Sequence, residues 1–290
     1  GVSMIDRTQV RISAFADEAG GTADEQIAAL RRNGLDGIEL RGINGKNVCD
    51  LTEREAAELR RRLDDAGLSV WAIGSPIGKT TIGEDDFSAE CGRLRRTLAL
   101  ADILGARRIR LFSFYLPAGQ TPQDVHGEVV DRLGTFCAIA QGSGIRLCHE
   151  NEKAIYGDTA ARCRALLDGI PALSAVFDPA NFVQCGQDTL NAWALLRGRV
   201  DYLHIKDARP DGTVVPAGEG AGHVAQIAAA YLADGGRAFT VEPHLFGFDG
   251  LAALERAGEH SRIAPRWTDA NAAFDAACGA FDRILKEERT

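Results

Sequence analysis

Short runs of apolar and β-branched residues recur along the chain, and each run is followed by a segment with helical periodicity. Eight such runs occur, at a mean spacing of about 33 residues, which is the length of a strand followed by a helix. The runs lie at residues 10–14, 37–40, 68–73, 108–112, 145–149, 174–177, 202–205 and 239–241. The pattern predicts eight βα units.

Helix start and stop signals separate the predicted strands. Thr22 and Thr52 are each followed three residues later by glutamate, which is the spacing of a capping box. Thr121 precedes a proline, the residue favoured at the first helical position. Glycines that favour a left-handed helix cap precede four strands, at Gly34, Gly67, Gly105 and Gly144.

Eight βα units without a break in composition predict an α/β protein with a single (β/α)8 TIM barrel. We expect one domain over residues 1–290, with the barrel core at about 8–258 and an extra C-terminal helix at about 262–286. The alternative is an open, doubly wound sheet of six to eight strands. No GxGxxG motif follows the first strand, which argues against that alternative.

Composition narrows the function classes. The formal charge of −8 argues against nucleic acid as a partner, because phosphate backbones need a basic face. No apolar run approaches the roughly 20 residues of a membrane helix, so no membrane partner is expected. The seven cysteines are scattered and form no CxxC pair. That pattern favours a reducing cytoplasm over a disulfide scaffold or a zinc–thiolate site.

Acidic residues and a histidine lie where four successive strands end. In a TIM barrel the strand ends and βα loops carry the active site, and side chains from neighbouring strands converge there. Any one such acid is more commonly a helix cap or a salt-bridge partner. Four together are harder to explain as caps: Glu150, Asp178, His204 and Glu242.

Three converging carboxylates need compensation. At 4 Å and an effective dielectric near 20 they repel by roughly 4 kcal/mol per pair. Either their pKa values rise or a cation lies among them. Three acids and one imidazole suit one divalent metal ion, and the hard oxygen ligands favour Mn²⁺, with Mg²⁺, Co²⁺ or Zn²⁺ as alternatives. The open coordination positions would then accept substrate oxygens.

Further side chains at the same rim are candidates for substrate binding. Lys79 follows a turn after the third strand, and Lys206 and Arg209 are close in sequence to His204. Lys206 and Arg209 suggest an anionic substrate but could instead pair with neighbouring acids, and Lys79 could instead be a solvated loop lysine. Glu39 could contact a substrate hydroxyl or a metal ligand. His244 lies two residues beyond Glu242, on the same side of the strand.

Four motifs resemble those of the xylose isomerase-like barrel superfamily, which holds sugar-phosphate isomerases and epimerases, ketose 3-epimerases, inosose-type dehydratases and endonuclease IV. The motifs are HEN at 149–151, FDPAN at 177–181, HIKD at 204–207 and EPH at 242–244. The resemblance covers residues 8 to about 258. It implies that the metal ligands are Glu150, Asp178, His204 and Glu242.

The resemblance also implies that Glu150 and Glu242 are the acid/base pair, acting with a metal-stabilised enediolate. Three positions depart from the ketose 3-epimerases. Their histidine, arginine and second glutamate are replaced by Asn181, Pro210 and Tyr156. These differences argue against C3 epimerisation of a free ketose, and we expect Asn181 to contact the substrate.

The sequence therefore predicts a metal-dependent isomerase or epimerase of a sugar, sugar phosphate or related polyhydroxy carbonyl. The alternative is a dehydratase or eliminase of a keto-polyol, such as an inosose, dehydroshikimate or a 3-keto sugar. Phosphodiester cleavage needs more metals and more histidines than the six present. A sugar-binding barrel would leave the acids without a function. The resemblance suggests a homodimer or homotetramer.

Overall fold

The computed structural model describes residues 5–248, 250–255 and 262–287. The remaining parts of the expected 1–290 domain, including residues 256–258 of the expected core, lie outside the described residues. Eight parallel strands form a closed barrel. They are β1 Arg11–Ala14, β2 Gly37–Leu40, β3 Ser69–Gly74, β4 Arg108–Leu111, β5 Arg146–Glu150, β6 Ser174–Phe177, β7 Val200–Ile205 and β8 Ala238–Val241. Each begins and ends within two residues of its prediction.

Strand β1 closes the barrel because it pairs with both β2 and β8. Ser13 is in register with Gly37 on one side and with Thr240 on the other. The predicted TIM barrel is therefore confirmed, and the alternative of an open sheet is wrong. Two short hairpins lie outside the barrel, one from Gly42–Ile43 and Lys46–Asn47 and one from Asp207–Ala208 and Val214–Val215.

Helices surround the barrel, and three of them start at the predicted threonine caps. They are α1 Ala23–Arg32, α2 Glu53–Asp65, α3 Phe87–Leu104, α4 Pro122–Ala140, α5 Ala160–Gly169, α6 Pro179–Gln184, α7 Thr189–Leu196, α8 Val224–Ala233, α9 Leu251–Leu254 and α10 Ala270–Glu287. Thr22 and Thr52 form capping boxes, and Thr121 caps α4 ahead of Pro122. Gly105 ends α3 at φ 74°, a conformation that glycine adopts without a Cβ clash.

The C-terminal helix is present, but it begins later than predicted. Residues 262–269 are not helical, and Ile263 instead forms a β-bridge with Val214. Pro265 opposes helix within this segment. Asp269 accepts a hydrogen bond from the Ala272 amide at 2.7 Å and so precedes the first turn of α10. Phe281 on this helix packs against Phe239 of β8.

The barrel interior changes character along its axis. A small, mostly apolar cluster lies inside the barrel below the carboxyl ends of the strands, with Ala72, Cys148, Val176, Tyr202 and Ala238 all buried. The larger apolar core lies between the strands and the surrounding helices, with members such as Leu30, Leu94 and Phe136. Polar and charged side chains occupy the end where the strands finish. The functional residues therefore lie above an apolar plug that excludes water from one side.

Two features bear on the predicted environment of the protein. Among the described residues, no helix combines the length and apolarity required to cross a bilayer. All seven cysteines are free thiols. The absence of disulfides among them agrees with the expectation drawn from their scattered spacing.

Candidate metal centre

Four side chains from successive strands converge at the carboxyl end of the barrel. Glu150 is the last residue of β5, Asp178 follows β6, His204 lies near the end of β7, and Glu242 follows β8. All four are buried, and one potential ligand atom from each lies within 4.8 Å of the others. The structure thus brings together the residues that the sequence singled out as metal ligands.

His204 is held with one ring nitrogen toward this group. Its Nδ1 lies 2.8 Å from Glu150 Oε2, 3.7 Å from Asp178 Oδ2 and 3.9 Å from Glu242 Oε1. Burial would lower the pKa of His204, but neighbouring carboxylates outweigh it and raise the pKa well above its usual value. In the chain alone, the imidazole therefore carries a proton that a metal ion would displace.

Glu39 orients the histidine from the other side. Its Oε1 lies 2.8 Å from His204 Nε2, and its Oε2 accepts a hydrogen bond from the Tyr202 hydroxyl at 2.7 Å. Histidine ligands of metals commonly donate their second ring N–H to such a carboxylate. Both oxygens of Glu39 are used in this way, so the residue lies behind the ligand group rather than on the wall of the cavity.

Two oxygens show that the group fits a cation. Asp178 Oδ2 and Glu242 Oε1 are buried and lie 3.1 and 2.9 Å from the Lys206 ammonium, but neither accepts a hydrogen bond of acceptable geometry within the described part of the chain. Buried carboxylate oxygens are seldom left in this state, because each carries a desolvation cost. Oxygen donors with one imidazole are also the ligands that first-row dications and Mg²⁺ accept. The four residues could therefore hold a divalent metal ion.

Two arginines that were not predicted as site residues hold Glu150 and Glu242 in place. Arg110 Nη1 lies 3.0 Å from Glu150 Oε1, and Arg41 Nη1 lies 2.9 Å from Glu242 Oε2. Both arginines are only 4% exposed. Arg41 also forms a bidentate pair with Asp17. Each glutamate therefore has one oxygen held by a guanidinium while the other is directed at His204 or Lys206.

The electrostatic balance differs among the carboxylates. Burial would raise the pKa of Glu242, but Lys206 and other cations hold it well below its usual value. Burial outweighs the surrounding cations at Asp178 and raises its pKa. Glu18, next to Arg41, has a pKa raised to about 8, mainly by burial. The cations around the centre therefore do not lower the pKa of every carboxylate, since the pKa values of Asp178 and Glu18 stay raised.

A cavity of about 370 Å³ opens directly above the ligand group. Its wall includes Glu150 and Glu242, together with three of the predicted substrate-binding residues, Lys79, Lys206 and His244. It is large enough for a sugar-sized molecule and small enough to surround one. The structure therefore places the candidate acid/base residues and candidate binding residues on one surface.

His244 is strained in this wall. Its φ of 46° is unusual for a residue with a Cβ, and its ring stacks on Phe248. Burial lowers the pKa of His244 to about 3, so the ring is neutral near pH 7. Its backbone N–H donates to Glu18 at 2.7 Å, which helps to hold the unusual conformation.

Lysines surround Glu152 on the opposite part of the wall. Its oxygens lie 3.2 Å from Lys79 Nζ and 2.9 Å from Lys153 Nζ. Burial would raise the pKa of Glu152, but Lys153, Lys79 and Lys206 together hold it well below its usual value. This cluster, here called the lysine cluster, consists of Lys79, Lys153, Lys206 and Glu152.

The other predicted substrate-binding residues do not line the cavity. Asn181 is buried, and its amide donates to the Asn151 carbonyl at 2.9 Å. Arg209 is exposed and lies in the turn of the hairpin that follows β7. The position of Asn181 behind Glu150 suits a residue that orients the carboxylate, since its Nδ2 is 3.4 Å from Glu150 Oε2.

Comparisons with known proteins support the fold. A family model described as "Xylose isomerase-like TIM barrel" matches residues 27–277. No curated protein has a sequence that matches this chain. Solved structures do match, among them one of L-ribulose 3-epimerase, with 21% identity, a TM-score of 0.74 and coverage of 97% of this chain and 95% of that one.

Two further solved structures are similar. The probable 3-DHS dehydratase AsbF involved in petrobactin synthesis from Bacillus anthracis is 17% identical, with a TM-score of 0.72 and coverage of 94% of this chain and 98% of that one. The IOLI protein with a binding zinc atom is 14% identical, with a TM-score of 0.73 and coverage of 96% and 98%. At these identities, the likeness to solved structures shows the fold alone.

Proposed function

The chain belongs to the xylose isomerase-like TIM barrel family, and from this premise we propose that it is a divalent-metal-dependent isomerase or epimerase of a sugar, sugar phosphate or related polyhydroxy carbonyl. The observation that carries the proposal is the convergence of four ligand atoms within 4.8 Å at the base of the cavity. Removing a proton next to a carbonyl requires a base, a group that polarises the carbonyl oxygen, and an acid that returns the proton.

Glu150, Asp178, His204 and Glu242 would hold the metal ion. The ion, when bound, supplies the Lewis acidity that makes the proton next to the carbonyl removable. Mn²⁺ is our first expectation, and the zinc atom in the IOLI structure keeps Zn²⁺ among the alternatives. His204 must lose its Nδ1 proton to become a ligand, so metal affinity should rise with pH.

Glu150 and Glu242 would move the proton. Both line the cavity, and each has one oxygen held by an arginine and a second that faces the ligand group. One carboxylate would take the proton from the substrate carbon, and the other would return a proton to it. Arg110 and Arg41 each fix one oxygen of these carboxylates in place and add to the positive charge that keeps the carboxylates ionised. Lys79 and His244 would contact oxygens of the substrate.

A dehydratase or eliminase acting on a keto-polyol is the second candidate. It begins with the same proton abstraction but then expels a hydroxyl group. Asn181 supports keeping this candidate, because it replaces a histidine of the ketose 3-epimerases and so argues against C3 epimerisation of a free ketose. The similar structures include both an epimerase and a probable dehydratase, which agrees with keeping the two reactions together.

The proposal is tested by incubating the Mn²⁺-loaded protein in deuterated water with ketoses, ketose phosphates, inososes and dehydroshikimate. Deuterium on the carbon next to the carbonyl, without loss of water from the substrate, supports the isomerase or epimerase. Loss of one water supports the dehydratase. No exchange with any of these compounds contradicts both. Glu150→Gln should slow exchange by about 100-fold or more, whereas Asp211→Asn, at an exposed position on the rim of the same cavity, should retain proton transfer.

The expected homodimer or homotetramer, the cytoplasmic location and the absence of nucleic-acid and membrane partners also stay predictions. Light scattering of the purified protein measures the first of these. A mass of about one chain would contradict the expectation of an oligomer.

A further inference from the structure

Lys206 occupies the position between two of the candidate metal ligands. Its Nζ lies 3.1 Å from Asp178 Oδ2 and 2.9 Å from Glu242 Oε1. These are the same two oxygens that accept no hydrogen bond of acceptable geometry from the described residues. The side chain is only 5% exposed, so the ammonium group has little access to bulk water. One cation therefore already holds the oxygens that a metal ion would need.

The ammonium and a dication cannot share these oxygens. At contact distance in a buried site, a doubly charged ion repels an ammonium strongly, and a metal ion bonds directly to the oxygens. Lysine has a flexible four-carbon stem, so its charge can move by several ångströms while the backbone stays in place. Because Lys206 lines the cavity, the space open to its displaced ammonium is the cavity itself.

The lysine cluster is the destination within this cavity. Glu152 already contacts Lys79 and Lys153, and the charge of Lys206 also acts on it. With Lys206 turned toward it, one carboxylate would face three ammonium groups. Such an excess of positive charge on the cavity wall favours the binding of an anion.

We propose that a bound dication displaces the Lys206 ammonium from Asp178 and Glu242 toward the lysine cluster, and that the metal-loaded cavity thereby binds a carboxylate or phosphate group of its substrate. The substrate is then an anionic polyhydroxy carbonyl. The substrate part rests on the proposed function, whereas the exchange between metal and lysine does not.

Metal affinity tests the exchange without any substrate. Titration calorimetry with Mn²⁺ should show at least tenfold tighter binding to Lys206→Met than to the wild-type protein, because the competing ammonium is gone. Lys79→Met is the matched control, since it removes a positive charge from the same wall but not from a ligand oxygen. Its affinity should change by less than threefold.

Two results would overturn the exchange. One is a Lys206→Met affinity equal to or weaker than that of the wild type. The other is an equal gain in Lys206→Met and Lys79→Met, which would reflect general charge rather than competition. Lys206→Gln, which retains a hydrogen-bond donor, provides the same comparison if the methionine variant does not fold, with circular dichroism as the check.

Anion binding tests the substrate class. Mn²⁺-loaded wild-type protein should bind quinate at least tenfold more tightly than inositol, or fructose 6-phosphate at least tenfold more tightly than fructose. The first pair reports a carboxylate site and the second a phosphate site. In Lys206→Met the preference should fall to less than threefold. Equal affinities within both pairs, or a preference unchanged in Lys206→Met, would overturn the anionic substrate while leaving proton-exchange results intact.

Discussion

The two ends of the barrel both contain clustered charges, but their carboxylates are bonded differently. At the amino ends of the strands, Asp201 pairs with Arg108 and Arg146, and Arg108 also stacks 3.7 Å above the Trp71 ring. Each oxygen of Asp201 has an arginine partner. At the carboxyl ends, one oxygen of Asp178 and one of Glu242 share a single cation, the Lys206 ammonium, and neither accepts a well-formed hydrogen bond from the described residues.

This difference separates a structural cluster from a functional one. A carboxylate whose oxygens are both paired has little left to offer a ligand, and its removal affects folding. Two buried carboxylates that share one cation without well-formed hydrogen bonds cost stability, and that cost is typically retained where it serves binding or catalysis. The same residue types therefore predict stability at one end of the barrel and chemistry at the other.

The largest effect should come from Asp178→Asn. Removing one negative ligand should lower turnover by about 10³-fold, or about 4 kcal/mol of transition-state stabilisation. The fold should persist, because the asparagine side-chain oxygen can still accept a hydrogen bond from the backbone N–H of Asn181. Asp178 Oδ1 accepts that bond at 2.9 Å. Steady-state kinetics and thermal melting measure the two effects. A large loss of stability with activity intact would contradict the assignment of Asp178 and the carboxyl ends of the strands to chemistry.

Asp201→Asn should have the opposite result. It leaves two arginines short of a charged partner and should reduce the free energy of unfolding by about 2 kcal/mol, since both arginines keep partial contact with water. Mn²⁺ affinity should stay within twofold. Urea denaturation and calorimetry check these values. Asp234→Asn, whose partner Arg197 is exposed, is the control and should change stability by less than about 0.5 kcal/mol.

Glu39→Gln should weaken metal binding by about 10- to 100-fold, because the variant loses the charged partner of His204. Tyr202→Phe removes only the hydrogen bond to the far oxygen of Glu39 and should have a smaller effect. Calorimetric titration with Mn²⁺ ranks the two variants. If the tyrosine variant were the weaker binder, Glu39 would not act through the histidine.

Arg146→Met should have the smallest effect. The Arg146 side chain is 53% exposed, so its pair with Asp201 should contribute less than about 1 kcal/mol to stability. Arg108→Met should cost more, since Arg108 is more buried and also contacts Trp71. Denaturation curves of both variants measure the difference. Equal losses would mean that burial does not set the contribution of each arginine.

The fold follows from local signals in the sequence. The eight apolar runs and the threonine caps are short-range patterns, and they place each strand within two residues. The start of α10 is missed because apolar residues such as Ile263 and Trp267 fit a helical pattern, whereas Pro265 and the bridge between Val214 and Ile263 favour an irregular segment. That bridge joins distant parts of the chain and leaves no local signal.

Only part of the candidate site could be predicted from residues at the strand ends. The four candidate ligands are acids and a histidine at or next to such ends, so they are readily identified. Arg41 and Arg110 are not, because arginines are usually assigned to the surface. Alternation in β4, where Arg108 and Arg110 share one side of the strand, is the signal that could have placed Arg110 inside the barrel. The position of Asn181 behind Glu150 depends on tertiary packing.

The most direct test of the account is a crystal structure of the Mn²⁺-soaked protein with anomalous diffraction. We predict a single strong anomalous peak at about 2.0–2.3 Å from the ligand atoms of Glu150, Asp178, His204 and Glu242. The Lys206 ammonium should be turned away from this peak. A peak elsewhere, or none at full Mn²⁺ saturation, would contradict the account.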